Sequence, residues 1–124
     1  MLIKEIMKKP YAIEKDILLN DVAKLMKKQN ITSLIVVNNN KIVGIITHED
    51  LVENFSEKKK VYSVMSKNVV TIRENDNLKR AVELIRDNKI SILPVVDSKK
   101  NLVGVISDKD LIGNTEESDD FLIN

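Results

Sequence analysis

"VGIITHEDL" spans Val43–Leu51 and "VGVISDKDL" spans Val103–Leu111. Each reads Val-Gly, two branched apolar residues, a hydroxyl residue, two charged residues and then Asp-Leu, and the two glycines stand sixty positions apart. An echo of this kind marks a duplicated structural unit, since chemistry performed once needs only one copy. With Gly44 set on Gly104, the match runs backwards through both copies. Val36-Val37 meets Val95-Val96, Ile31 meets Ile90, Leu25 meets Leu84, Leu19 meets Leu78, Ile13 meets Ile72 and Met7 meets Met65. Two single-residue gaps suffice, one near Pro10 and one at the loop around Asn39 and Lys99.

Within each copy the hydrophobic period changes in the same order. Leu18, Leu19, Val22, Leu25 and Met26 recur at helical spacing, with Asn20, Asp21, Lys24, Lys27 and Lys28 between them, and Leu78, Ala81, Val82 and Ile85 do the same. Next come "ITSLIVV" (Ile31–Val37) and "ISILPVV" (Ile90–Val96), β-branched runs that suit buried strands. Asn38-Asn39-Asn40 and Asp97–Asn101 supply turn chemistry, so "KIVGIIT" and "NLVGVIS" complete antiparallel hairpins. A second helix opens at Thr47 or Ser107. A short strand at Ala12-Ile13, or at Val70-Thr71-Ile72, precedes the first helix.

The sequence therefore predicts an α/β (α+β) fold of two β-α-β-β-α repeats, with small mixed sheets flanked by helices. A three-stranded sheet buries too little by itself, so the copies are expected to pack together by pseudo-two-fold symmetry. The expected boundaries are 1–57 for the first repeat, 58–63 for a linker, 64–112 for the second repeat and 113–124 for a flexible acidic tail. Phe121-Leu122-Ile123 in that tail could dock on a partner.

Composition excludes several functions. Aromatics are only 3% of the chain, so Ile, Val and Leu must carry the packing. Twenty basic residues against nineteen acidic ones leave a net charge of +1, which gives no support for bulk nucleic-acid binding. Lys58-Lys59-Lys60 reads as a solvated linker face. There is no cysteine, hence no disulfide, thiolate zinc site or cysteine nucleophile. No apolar run approaches the ~18 residues of a membrane span, and the N-terminus shows no signal-peptide pattern, so a cytoplasmic protein is expected. His48 is the only histidine, and nothing in the sequence places a base beside Thr47 or Ser107. The expectation is a non-enzyme with no catalytic residue, no metal site and no catalytic cofactor.

Thr47-His48-Glu49-Asp50 and Ser107-Asp108-Lys109-Asp110 admit two readings. A hydroxyl residue three positions before an acid is a capping box, worth about 1 kcal/mol at a helix start. The same residues could instead serve a nucleotide. Gly44 and Gly104 lie inside strands, where glycine implies close approach to the backbone. A strand running straight into a helix offers N–H groups to an anion. Asp50 and Asp110 then lie one turn in, placed to accept a ribose diol.

The chain resembles the cystathionine-β-synthase (CBS) domain family, as a tandem pair. Gly44–Asp50 and Gly104–Asp110 look like its Gly-apolar-x-Thr/Ser-x-x-Asp signature, Ile90–Pro94 looks like its strand ending at proline, and "IMKKP" (Ile6–Pro10) and "VMSKN" (Val64–Asn68) look like its Met-containing lead-in segments. The resemblance implies a regulatory module that binds AMP, ADP, ATP or S-adenosylmethionine in clefts between the repeats. It implies that Thr47 and Asp50 work with Thr71, Ile72 and Ser91, Ile92, Leu93 and Pro94. Ser107 and Asp110 would work with Ala12, Ile13, Thr32, Ser33 and Leu34. A homodimer and a separate regulated protein follow as expected partners.

Ile35 stands where the second repeat has Pro94, which departs from the family pattern. Arginine is confined to Arg73, Arg80 and Arg86, so the expected ligand carries little negative charge. The alternatives are a ligand-free dimerisation or protein-interaction scaffold and, more remotely, a nucleic-acid-binding module.

Overall fold

The computed structural model describes residues 1–112; the acidic tail and Phe121-Leu122-Ile123 lie outside the described residues. In chain order the elements are α1 (Ile3–Ile6), β1 (Ala12–Glu14), α2 (Leu19–Gln29), β2 (Ser33–Asn38), β3 (Lys41–Thr47) and α3 (His48–Asn54). A single 3-10 turn at Val61–Ser63 separates these from β4 (Ile72–Arg73), α4 (Leu78–Asn88), β5 (Ile92–Val96), β6 (Leu102–Ser107) and α5 (Asp108–Ile112). Two compact units result. The first is Tyr11–Val69; the second joins Met1–Pro10 to the chain from Val70 onward.

Both units are built alike. Each sheet has three strands with the first strand of the hairpin in the middle, in the orders β1-β2-β3 and β4-β5-β6. The first strand runs parallel to the second, with Ile13 beside Val36 and Ile72 beside Val95. The third is antiparallel, with Gly44 opposite Val36 and Gly104 opposite Val95, and the register slips at the next residue in both sheets. The duplicated glycines thus sit beside duplicated bulges, where the ladder bends.

Helical spacing became helical burial. In α2, Leu19, Val22 and Met26 face the core; in α4, Leu78, Ala81, Val82 and Ile85 do. Each large apolar side chain so buried stabilises by about 1.5–3 kcal/mol before entropy is counted. Strands β2 and β5 start two residues later than their β-branched runs predict. Both helices end on a left-handed cap, Asn30 and Lys89, each at φ 53°. The next N–H is then spent closing the helix, Ile31 on the Met26 carbonyl (3.0 Å) and Ile90 on the Ile85 carbonyl (3.2 Å). Neither isoleucine is free to begin a strand.

The hairpin loops differ. Asn39 and Asn40 both adopt positive φ, as a two-residue primed turn requires. In the second hairpin's loop Lys100 does so, and this longer loop is tied by Asp97 Oδ1, which accepts the N–H groups of Lys99 and Asn101 at 2.9 Å each.

Each unit is completed by one lead-in segment. In the first, Val61 is fully buried and its N–H bonds the Ile17 carbonyl at 2.9 Å. In the second, Ile3 is fully buried and its N–H bonds the Asp76 carbonyl at 2.8 Å.

Candidate functional site

The two duplicated phrases fold into the same local machine. In the first unit Thr47 caps α3: the Asp50 N–H donates to Thr47 Oγ1 at 3.2 Å, and the Thr47 N–H donates back to Asp50 Oδ2 at 2.9 Å. The Thr47 hydroxyl adds a third bond to the same oxygen at 3.0 Å. In the second, the Asp110 N–H donates to Ser107 Oγ at 3.2 Å and the Ser107 N–H to Asp110 Oδ2 at 2.9 Å. The capping reading is therefore correct in both copies, and each acid is turned by its cap so that only one carboxylate oxygen faces away.

The expectation of free N–H groups at these helix starts needs correction. The His48 N–H is taken by the Thr32 carbonyl at 2.8 Å and the Asp108 N–H by the Ser91 carbonyl at 2.9 Å. The Lys109 N–H goes to Asp108 Oδ1 at 2.8 Å. An anion would find few donors there.

The reason given for the glycines changes too. What approaches them is a methionine of the lead-in segment. A Cβ built on Gly44 would lie 2.5 Å from Met65 Sδ and 2.9 Å from the Ser66 carbonyl oxygen, and one on Gly104 would lie 2.8 Å from Met7 Cγ. The segments are held there by paired backbone bonds: Ser66 with Ile45 at 2.9 Å each way, and Lys8 with Val105 at 3.0 and 2.9 Å. Glycine is required in both strands for packing.

These pairings put Lys8 and Ser66 in equivalent places, and there the two units part. The Lys8 ammonium reaches Asp110 Oδ1 at 2.8 Å, with its own side chain 72% exposed and that of Asp110 only 9%. Serine is too short to make this contact, and among the described residues Asp50 Oδ1 has no partner. Burial works against a charge on Asp110, but the hydrogen bond from Lys8, the Ser107 N–H and hydroxyl, and the Lys8 charge together hold the carboxyl below its ordinary range. The same hydrogen bond and charge raise Lys8. Sequence comparison exposes Lys8 against Ser66, but it gives Lys8 no partner.

Of the other predicted site residues, the structure brings together those on one hairpin. Ser33 pairs with Thr47 and Ile92 with Ser107, so Thr32-Ser33 and Ser91-Ile92 adjoin the box of their own repeat. Ile13, Leu34, Ile72 and Leu93 point into the two hydrophobic cores, which leaves their backbone as the part able to meet a ligand. Ala12 is half-buried on β1, and Thr71 is exposed just before β4.

Pro94 lies in the central strand of its sheet. Val105 spends its N–H and carbonyl on Lys8, so the Pro94–Val105 pair is not mutually bonded and the proline nitrogen faces β4. The missing N–H weakens that ladder, which registers two pairs where β1 registers three.

A cavity of about 490 Å³ opens beside Thr71 and Ile72, lined also by Arg73, Asp76, Arg80 and Lys100. Sequence reading counted the arginines as scarce but could not place two of them, with a lysine, around one hollow. Among the described residues no cluster of His, Cys, Asp and Glu could hold a metal ion, and no helix is long and apolar enough to cross a membrane.

Comparison with known proteins supports the same grouping. The CBS domain family model matches twice, over residues 3–57 and 61–116. Inosine-5'-monophosphate dehydrogenase of Thermoplasma acidophilum is 43% identical over 71% of this chain, and the match spans 18% of that enzyme. Uncharacterized protein MJ1426 of Methanocaldococcus jannaschii is 33% identical, covering 90% of this chain and 89% of the relative. Among solved structures, the CBS domain pair of protein MJ0100 in complex with 5'-methylthioadenosine and S-adenosyl-L-methionine superposes with a TM-score of 0.77 at 32% identity, covering 90% of this chain and 92% of that one. With two sheets, two capped Asp boxes and two matches of the family model, the chain belongs to the CBS domain family.

Proposed function

We propose that this chain is a regulatory ligand-sensing module that binds an adenosine derivative and signals to a separate protein, with no catalysis of its own. The observation that carries this is Asp50, which is half-buried, fixed through Oδ2 by Thr47, and has Oδ1 uncommitted among the described residues. A carboxylate held at one oxygen and open at the other suits a vicinal diol. The MJ0100 pair, 32% identical, binds two adenosine compounds, which supports this ligand class.

In this reading Thr47 and Asp50 act with Thr71, Ile72 and the Ser91–Pro94 strand, and Ser107 and Asp110 with Ala12, Ile13 and Thr32–Leu34. The buried residues contribute backbone groups. The cations around the cavity beside Thr71 would favour a ligand carrying phosphate, and the choice among AMP, ATP and S-adenosylmethionine is open to measurement. A homodimer is also proposed, supported by the exposed Val52 on α3 and the exposed Phe55 at its C-cap; sedimentation at micromolar concentration decides it.

The test is a thermal-shift and calorimetric series with AMP, ATP, S-adenosylmethionine and 5'-methylthioadenosine. A ligand at a hundred times its Kd should add about 2.7 kcal/mol to stability. Asp50→Asn should abolish part of that gain without unfolding the protein. No shift at millimolar ligand would favour the scaffold reading, which draws support from both acids serving as helix caps.

A further inference from the structure

The repeats are alike in backbone and unlike in one charge. Lys8 and Ser66 occupy the same place: each follows the methionine packed on the strand glycine, and each pairs through its backbone with the residue after that glycine. Only Lys8 carries a side chain long enough to reach the acid of the box. We propose that Lys8 makes the two carboxylates unequal, occupying the outer oxygen of Asp110 so that a ribonucleoside engages Asp50 first. This rests on the adenosine reading above and concerns which of its two acids is available.

The chemistry is competition for an acceptor. A vicinal diol donates two hydrogen bonds and gains most from a carboxylate whose oxygens are under-used. At Asp50, Oδ2 accepts from Thr47 and Oδ1 is open. At Asp110, Oδ2 accepts from Ser107 while Oδ1 already holds a charge-assisted bond of 2.8 Å. A neutral diol at Asp110 must share that oxygen or displace the ammonium. Because Lys8 is mostly solvent-exposed, displacement is cheap enough to weaken the site rather than abolish it, by about fivefold.

The probe is 5'-methylthioadenosine, which has the diol and no charge, so it cannot gain by binding Lys8 through a phosphate. Titration of the full chain is followed separately at the Asp50 and Asp110 backbone amides by NMR. Wild type should saturate at Asp50 first. Lys8→Ser, the residue the first unit has there, should tighten binding at Asp110 by about fivefold and leave Asp50 unchanged. Serine keeps the backbone bonds to Val105, and an unaltered amide spectrum verifies the fold.

Simultaneous saturation in wild type would overturn the proposal. So would a Lys8→Ser protein whose Asp110 affinity is unchanged or weaker, the latter making Lys8 a ligand contact. If neither amide responds to 5'-methylthioadenosine, AMP, ATP or S-adenosylmethionine in either protein, the adenosine reading itself falls, and the proposal with it.

Discussion

Asp50 and Asp110 share a backbone role and differ in their electrostatics, and the difference can be measured without any ligand. Because the Asp110 carboxyl sits below its ordinary value of 3.8, its contribution to stability is complete above that value and is lost as the pH falls through the folded-state value. Lys8 sits above its ordinary 10.5, so its share is present below 10.5 and is lost as the pH rises through its folded value. Between these limits the pair is intact. Removing Lys8 takes away its hydrogen bond and its charge, both of which lower the Asp110 carboxyl, so Lys8→Ser should move the Asp110 midpoint upward in an NMR titration. An unchanged midpoint would mean that Lys8 does not hold the acid in solution. The residue types of both boxes were legible in the sequence because a hydroxyl three places before an acid has a local, mechanical meaning. The Lys8 contact was not, because it joins residues about a hundred positions apart in the chain.

At the scale of the element, periodicity identified α2, α4 and both hairpins, since each depends on which face of a short segment is apolar. It missed the starts of β2 and β5, where closing the preceding helix consumes the N–H groups of Ile31 and Ile90. It also gave the strand glycines a ligand's reason when the reason is packing. That packing makes a graded prediction. Gly44→Ala brings a methyl against both the flexible Met65 side chain and the Ser66 carbonyl, which is backbone and cannot easily yield. Gly104→Ala meets Met7 side-chain atoms, which can partly move aside. Both substitutions should destabilise, within the ~1–3 kcal/mol range of overpacking, with Gly44→Ala the more costly. Urea unfolding of the two variants tests the order. Equal costs, or a gain from the lower chain entropy of alanine, would show that the lead-in segments are not held against these strands.

For the whole molecule, the duplication was plain from the sequence, and so was the pairing of Met7 with Met65. What the pattern could not express was which sheet each lead-in segment would join, because alignment compares positions and says nothing about contacts. The segment that opens the first repeat is built into the unit of the second. Ile3 lies in one core with Ile72, Leu78, Ile85, Leu93 and Ile106. The Leu78 N–H bonds the Met1 carbonyl at 3.1 Å, and the Lys4 N–H bonds that of Glu74 at 2.9 Å. A cavity at the third residue of the chain should therefore be felt some seventy positions away. Ile3→Ala removes a fully buried side chain and should cost about 2–5 kcal/mol. Hydrogen exchange shows where that cost falls: protection should drop in α4, β5 and β6, while α2, β2 and β3, whose core takes Val61 at the equivalent place, keep theirs. Loss confined to α2, β2 and β3 would place the N-terminal segment in the first unit. Uniform loss would mean that the units unfold as one, with Ile3 reporting global rather than local stability.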